Sequence, residues 1–339
     1  MMSLVNSLND YLYSNKIISN DLSLEWILVS NGGTYEHDSV ILFGIVTENE
    51  KTSSPAFVAK VTRLPIHSWI LEIEHNSLNI LWDCMGENFS EKHFPKPLGL
   101  LSYGNQRALL ISYLHGESML QTSSASFWMD IENLAPFTLE IAEILNRIFC
   151  STIKSIDYKS YSPFDFSKRV DQFVEMYPVT DTHTKIIENI LNKLNTNSNN
   201  RTEKVLLHGD FWHGNLIREK KSRSLMVVDW QYARWSSDVS LDVYLFLLAG
   251  ALVAANGTSS TEISQSLINV LYHWKDKIIP EYLRVFRFSK EYSLLPIKEG
   301  MLLCCIEKAT RSKMDFGISQ HDDMLWWHIF NKIIDMDID

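Results

Sequence analysis

Three polar side chains in the middle of the chain have the types and the spacing that phosphate chemistry requires. Asp210 is followed five residues later by Asn215, and Asp229 comes fourteen residues after that. Phosphoryl transfer from a nucleotide depends on charge neutralisation and in-line positioning rather than on covalent help from the protein. Carboxylate and amide oxygens are hard ligands that suit magnesium. The pattern predicts that Asp210 takes the proton of an attacking hydroxyl and that Asn215 and Asp229 are magnesium ligands.

The surrounding sequence separates this interpretation from a simpler one. The triplet His208-Gly209-Asp210 alone is also typical of a turn in which the aspartate caps a helix. The interval to Asn215 and the apolar residues Met226–Val228, which lead into Asp229 as a buried strand would, are not expected of such a turn. The functional interpretation is therefore preferred.

The same residues resemble the active-site pattern of the aminoglycoside phosphotransferase and choline kinase family. That pattern is H-G-D-x-x-x-x-N followed by a strand that ends in D-W or D-F, and the chain matches it at His208-Gly209-Asp210, Asn215 and Asp229-Trp230. The resemblance implies ATP or GTP as the phosphoryl donor and Mg²⁺ as the cofactor. The family acts on antibiotics, choline or ethanolamine, amino acids and sugars. His213, where bacterial relatives often have proline, does not identify the acceptor.

Lys60 lies in the otherwise apolar run Ala56–Val61, which predicts a strand. A buried ammonium needs an anionic partner, and in the resembling family the partners are the nucleotide phosphates and a helix glutamate. The helical spacing of Ser68–Trp82 offers Glu72 and Glu74, of which Glu74 lies one turn before an apolar stripe and is preferred. The simpler alternative is an edge-strand lysine with a solvated tip.

Gly32 and Gly33 lie between two strand-like runs, Glu25–Ser30 and Ser39–Val46. Glycine lets backbone N–H groups approach phosphate oxygens closely, because no side chain intervenes. In a kinase-like fold such a hairpin covers the nucleotide phosphates. A glycine pair between two strands is also typical of an ordinary hairpin turn, and both interpretations stay open.

The expected fold class is α+β. The family resemblance implies a protein-kinase-like pair of lobes. The small lobe, residues 1–112, would hold an antiparallel sheet and a helix, and the large lobe, residues 113–339, would be mainly helical. In that family the hinge between the lobes holds adenine through main-chain groups, which points to Ser112, Tyr113 and Leu114.

Two further residues are expected to support the catalytic loop. His208 would brace it, and Asp242, at the start of a helix, would cap that helix and accept hydrogen bonds from the loop backbone. The apolar run Leu241–Ala255 is too short for a transmembrane helix and predicts a buried one. The sequence Asp315-Phe316-Gly317 spells a protein-kinase metal motif, but no apolar strand precedes it, so it predicts a turn that ends a helix.

Helical spacing extends over Ser126–Cys150 and Phe164–Leu194, and the polar run Asn195–Asn200 predicts a surface loop. The last third, Ile263–Asp339, is helical in pattern and rich in aromatic residues. Ordinary helix packing accounts for most of these aromatic residues, and a pocket lining is the alternative.

Composition narrows the class of protein. The 339 residues are 45% hydrophobic and 21% charged, which is ordinary for a globular protein. A net charge of −10 argues against nucleic acid as a partner and would suit a cationic acceptor. The four cysteines form no C-x-x-C pattern, and the N-terminus has no secretory signal pattern, so we expect reduced thiols, a cytoplasmic location and no membrane association.

The leading hypothesis is a kinase that phosphorylates a hydroxyl of a small molecule such as an aminoglycoside-like antibiotic, an amino alcohol or a sugar. One alternative is a catalytically weak nucleotide-binding regulatory protein, and the presence of Lys60, Asp210, Asn215 and Asp229 together argues against it. The other is a kinase that acts on a peptide or protein. It is less favoured because the chain has H-G-D and D-W-Q in place of H-R-D and D-F-G.

Overall fold

The computed structural model describes residues 2–30, 39–47, 55–153, 166–199, 203–287, 289–316 and 323–338. The chain forms two compact units. Unit 1 consists of Met1–Glu117 and Ile217–Tyr232, and unit 2 consists of Ser118–Leu216 and Ala233–Asp339. Unit 1 thus adds residues 113–117 and 217–232 to the segment 1–112 expected as the small lobe.

In chain order the elements are α1 (Met2–Ser14), β1 (Ser23–Ser30), β2 (Ser39–Thr47), β3 (Pro55–Thr62), α2 (Trp69–Met85), α3 (Glu87–His93), β4 (Pro97–Tyr103), β5 (Gln106–Ser112), β6 (Gly116–Ser118), α4 (Met119–Thr122), α5 (Ala125–Met129), α6 (Ile131–Thr152), α7 (Phe166–Met176), α8 (Asp181–Asn199), β7 (Val205–Leu207), β8 (Leu216–Glu219), β9 (Leu225–Val227), β10 (Arg234–Ser236), α9 (Ser240–Ala254), α10 (Ser260–Trp274), α11 (Ile278–Arg284), α12 (Ile297–Phe316) and α13 (Asp323–Ile334).

Unit 1 is built on a five-stranded antiparallel sheet with the spatial order β1-β2-β3-β5-β4. Lys60 is aligned with Ile41 on β2 and with Leu109 on β5, so its strand β3 has a neighbour on each side. The structure therefore excludes the edge-strand alternative for this lysine. The segment that contains Gly32 and Gly33 lies outside the described residues.

Helix α1 packs on this sheet through one face. Leu4, Leu8 and Leu12 recur at every fourth residue and are buried together with sheet residues that include Leu42 and Phe57. Burial of this apolar face is what holds the helix, since a helix of 13 residues is marginal in isolation.

Unit 2 is mainly helical, and α9 lies in its core. Apart from Leu252 and Val253, every residue of α9 is buried, as the apolar sequence predicts. A Cβ on Gly250 would lie 2.3 Å from the Trp128 ring, so the close packing of this ring on α9 requires glycine. Among the described residues, no helix is both long and apolar enough to span a membrane.

The structure differs from the sequence-based expectation at several boundaries. The expected helix over Ser126–Cys150 is two helices, because Asp130 caps α6 by accepting hydrogen bonds from two backbone N–H groups of its first turn. The helical run up to Leu194 is likewise divided into α7 and α8, with Pro178 in the break.

The prediction of a loop at Asn195–Asn200 is wrong for its described part, since α8 continues to Asn199. Polar residues lower helix propensity by only a few tenths of a kcal/mol each, which is too little to end an established helix. The motif Asp315-Phe316-Gly317 was expected to form a turn that ends a helix. Asp315 and Phe316 are the last residues of α12, and Gly317 lies outside the described residues.

Candidate active site

The ammonium of Lys60 is held by two carboxylates in unit 1. Nζ donates to Glu74 Oε1 at 2.7 Å, to Glu74 Oε2 at 2.9 Å and to Asp229 Oδ1 at 2.8 Å. Burial acts to lower the pKa of Lys60, but Asp229 and Glu74 outweigh it and the pKa is raised, so the ammonium stays charged. The other candidate, Glu72, pairs instead with Arg107 at the surface.

Asp229, two residues after the end of β9, has an unusual backbone conformation. Its φ of 68° lies in the left-handed region, which non-glycine residues seldom adopt and which is frequent at functional positions. Oδ2 accepts a hydrogen bond from Gln231 Nε2 at 3.2 Å, and the side chain is 30% exposed. Together with Lys60 and the buried Glu74, it forms a cluster of one positive and two negative groups, whose excess negative charge a bound cation would offset.

The expected adenine-binding backbone is partly engaged within the protein. The N–H of Ser112 donates to Lys96 O and the N–H of Tyr113 donates to Ala56 O, each at 2.9 Å. The N–H of Leu114 has no hydrogen-bond partner within the described ranges, so it is the donor of the three that can serve a ligand.

Ser112, Tyr113 and Leu114 also line a cavity of about 470 Å³ in unit 1, together with Trp82 and Phe94. The Lys60 cluster does not line this cavity. The structure therefore brings the three residues of the predicted adenine site together in one cavity, but it does not place the predicted phosphate-binding side chains in the same cavity.

The loop that carries Asp210 is held from α9 in unit 2. Asp242, fully buried, accepts hydrogen bonds from the backbone N–H groups of His208 at 2.6 Å and Gly209 at 2.8 Å. Gly209 has φ of 77°, a conformation that glycine adopts without cost. His208 Nδ1 accepts the backbone N–H of Asp210 at 3.3 Å. Asp242 thus holds the loop backbone at His208 and Gly209, and His208 holds it at Asp210.

Asn215 is oriented by the same loop. Its Nδ2 donates to the carbonyl oxygen of Asp210 at 2.9 Å, and the side chain is buried. Because the nitrogen is used for this hydrogen bond, Oδ1 is the atom that remains for a metal ion.

The carboxylate of Asp210 contacts two basic side chains of α12. Lys308 Nζ lies 2.9 Å and Arg311 Nη1 lies 2.7 Å from Asp210 Oδ1. Burial would raise the pKa of Asp210, but the charges of Arg311 and Lys308 outweigh it and lower the pKa well below its ordinary value. Asp210 is therefore a fixed anion and a weak base.

Arg311 belongs to a second buried cluster, centred on Glu307. Arg169, Arg234 and Arg311 surround this carboxylate, with the Arg169 Nε to Glu307 Oε2 distance at 2.9 Å. Burial acts against the charge, yet the three guanidinium groups lower the pKa of Glu307 to about 2. The cluster fixes the position of Arg311 and, through it, the position of the Asp210 carboxylate.

Glu307, Lys308 and Arg311 were not predicted from the sequence. Their signal was present in the run Glu307-Lys308-Ala309-Thr310-Arg311, which places three charges directly after the apolar residues Met301–Ile306. Charges that continue a buried helical run need partners, so this run indicated an internal ion-pair cluster.

In the part of the chain that the structure describes, no group of three or more His, Cys, Asp or Glu side chains is arranged to hold a metal ion. Such an arrangement is not required for magnesium, which is commonly bound by one or two protein carboxylates together with waters and substrate phosphates. Asp229 and Asn215, each in its own unit, offer the kinds of oxygen that this mode of binding uses.

Several solved structures are similar to this chain in fold. The chain is similar to aminoglycoside phosphotransferase APH(4)-Ia in complex with ADP and hygromycin B, with 14% identity over 97% of this chain and 98% of that one and a TM-score of 0.53. Choline kinase LicA from Streptococcus pneumoniae has 13% identity, 98% coverage of both chains and a TM-score of 0.50. For the putative fructosamine-3-kinase from Haemophilus somnus 129PT these values are 13%, 98% of both chains and 0.51.

The chain therefore has a protein-kinase-like fold, and the resemblance to aminoglycoside phosphotransferases and choline kinases is confirmed at this level. The sequence pattern of the ecdysteroid kinase-like family matches residues 131–256, a little more than a third of the chain, which include Asp210, Asn215 and Asp229. A search of curated protein sequences finds no match.

Proposed function

We propose that the chain is a magnesium-dependent kinase that transfers the terminal phosphoryl group of ATP or GTP to a hydroxyl group of a small molecule. The observation that carries this proposal is the contact of one ammonium group, that of Lys60, with both Glu74 and Asp229. A lysine fixed by a helix glutamate is the arrangement that kinases use to orient nucleotide phosphates. The solved neighbour with bound ADP supports nucleotide use.

Lys60 would orient the phosphates, and Glu74 would hold the ammonium in place. Glu74 is fully buried and reaches Lys60 with both carboxylate oxygens, so it restricts the position of Nζ. The Asp229 side chain is 30% exposed, so its carboxylate would be accessible to a metal ion. When bound, magnesium neutralises phosphate charge, and Asp229 and Asn215 would hold it.

Asp210 would act on the acceptor. Its carboxylate accepts a hydrogen bond from the acceptor hydroxyl and points that oxygen at the γ-phosphorus. The new O–P bond forms as the bond to the nucleoside diphosphate breaks, and the diphosphate leaves with the electron pair. The hydroxyl proton passes to Asp210 and then to solvent. Because Asp210 is a weak base, its main contribution is orientation, and it takes up the proton late.

Lys308 and Arg311 would serve this step in two ways. They keep Asp210 ionised, and they place positive charge beside the carboxylate that would orient the acceptor hydroxyl, the group to which the phosphoryl group is transferred. Positive groups fixed before the reaction stabilise the developing charge without reorganisation. In this role the two residues position and stabilise, whereas Asp210 contacts the reacting hydroxyl.

The test is a magnesium-dependent nucleotide-consumption screen with the full chain. The names of similar proteins supply the first acceptors: hygromycin B, choline, a fructosamine and an ecdysteroid. A peptide library tests the alternative acceptor class. We expect consumption of ATP or GTP that depends on both magnesium and one small-molecule alcohol. Nucleotide binding without consumption in any arm would contradict the proposal and favour a nucleotide-binding regulatory protein.

A further inference from the structure

A cavity of about 190 Å³ lies in unit 2 beside the loop that carries Asp210. Its wall is mainly apolar, with Trp212, Leu245 and Trp326 among the lining residues, and its polar lining residues are His213 and Lys308. Leu120, also in the wall, is 52% exposed, so the wall reaches the surface of the unit. Lys308 connects the cavity with the catalytic loop, because its Nζ donates to Asp210 Oδ1.

His213 is a polar residue in this wall whose hydrogen bonding is incomplete. The residue is 1% exposed, and across the described parts of the chain neither ring nitrogen has a hydrogen-bond partner. The ring is packed edge-on against Trp128 and Trp212, with centroid distances of 5.4 Å and 5.0 Å. A buried polar group without a hydrogen-bond partner is destabilising, so a native one calls for a ligand or another specific role.

The charge around the cavity favours an uncharged ligand. Both ring nitrogens of His213 lack a hydrogen-bond partner among the described residues, so this side chain can bond a hydroxyl or carbonyl group without the help of a charged partner. The ammonium of Lys308 in the same wall opposes a cationic group. An anionic group would compete with Asp210 for Lys308 and would lose its hydration in an apolar cavity.

The volume of the cavity limits the size of the chemical group that it can hold. An engineered apolar cavity of ~150 Å³ holds benzene, so about 190 Å³ suits one compact ring or branched alkyl group and a small polar substituent. Complete ligand pockets are larger, about 300–1,000 Å³. The cavity therefore accommodates part of an acceptor rather than a whole polycationic sugar.

We propose that His213 recognises a hydroxyl or carbonyl group of an uncharged, mainly apolar alcohol, whose apolar part fills this cavity, and thereby selects the acceptor. The inference rests on the proposed kinase function and names the acceptor class for it. His213 is a specificity-determining residue and takes no part in the proton transfer assigned to Asp210.

The experiment measures binding of three matched probes by NMR titration of the full chain, without nucleotide. Benzyl alcohol carries the hydroxyl, toluene lacks it, and benzylamine is a cation at pH 7. We expect benzyl alcohol to bind more tightly than either of the others. His213→Phe keeps a ring of similar size but removes both nitrogens, and we expect it to weaken benzyl alcohol about fivefold, within the ~2–10-fold range of one hydrogen bond. Toluene affinity should change less than twofold.

His213→Gln has a polar side chain at this position and should recover part of the benzyl alcohol affinity. His273→Phe, at an exposed histidine, is the control and should leave the affinities for all three probes unchanged. The proposal is contradicted if benzyl alcohol does not bind the parent chain, if His213→Phe weakens toluene as much as benzyl alcohol, or if benzylamine binds as tightly as the alcohol. The NMR titration contains no nucleotide, so its outcome does not depend on catalysis. If the chain binds these probes as expected but consumes no nucleotide in the separate screen, the kinase function is contradicted and the binding site is not.

Discussion

Lys308 Nζ lies 2.9 Å from Asp210 Oδ1, so the residue expected to accept the acceptor's proton is already ion-paired. With Arg311 on the same oxygen, the carboxylate is stabilised in its charged form. A group in this state orients a hydroxyl well and removes its proton poorly. Asp210 would therefore position the acceptor before it accepts a proton, and α12 would be part of the catalytic machinery.

Lys308→Met should reduce turnover by about tenfold or more, on the scale found when one preorganised charge-stabilising group is removed from an active site. It should also move the acidic limb of the pH profile of kcat upward. The folded-state pKa of Asp210 is lowered in the parent, and removing one of the cations that lower it raises that pKa. Initial rates from pH 4.5 to 8 measure both effects.

Lys313→Met is the matched control, because Lys313 is an exposed lysine on the same helix. It should leave both the rate and the profile unchanged. An unaltered acidic limb in Lys308→Met would show that Lys308 does not set the ionisation of Asp210.

Lys60→Met should destabilise the protein as well as inactivate it. The substitution leaves buried Glu74 next to Asp229 without a cation, and breaking a buried ion pair costs about 3–5 kcal/mol. Lys60→Met combined with Glu74→Gln should regain most of the stability while turnover stays lost. Urea unfolding measures the stability of each variant, and nucleotide consumption measures its turnover. Recovery of turnover in the double variant would contradict the phosphate-orienting role.

Glu307 should stabilise the fold in a pH-dependent manner. Its pKa in the folded chain is about 2, against an ordinary value of 4.5, so its contribution is fully present above pH 4.5 and is lost as the pH falls toward 2. The shift corresponds to roughly 3 kcal/mol at pH 7. Glu307→Gln should therefore lower the unfolding free energy at pH 7 and have a smaller effect at pH 3.5.

Urea unfolding at the two pH values measures this difference. The exposed Glu281→Gln serves as the control, since Glu281 pairs with Arg284 at the surface and should change stability by less than ~1 kcal/mol. An effect of Glu307→Gln that is the same at pH 7 and 3.5 would contradict the origin assigned to its stabilising charge.

Local patterns in the sequence were sufficient for the parts of the site that lie within one element. The lysine in an apolar strand, the glutamate one turn before an apolar stripe and the D-W after an apolar strand are all short-range features. The structure brings Lys60, Glu74 and Asp229 together. These contacts follow from element order once a kinase-like arrangement is assumed.

The α12 contacts could not be predicted in the same way. Lys308 and Asp210 are 98 residues apart, and which carboxylate this half-buried lysine reaches depends on how α12 packs. The extension of α8 through Asn195–Asn199 was missed for the opposite reason, since weak residue propensities there do not decide the end of a helix. The cavity at His213 depends on several elements and has no local sequence pattern.

The most direct test of the central claim is the turnover of Asp210→Asn. This change keeps the size of the side chain and removes the charge that orients the acceptor, while Asp276→Asn, at an exposed aspartate, controls for the substitution itself. With an acceptor from the screen, we expect turnover to fall at least a thousandfold, with nucleotide affinity within about threefold of the parent chain. Turnover within tenfold of the parent would contradict the role of Asp210.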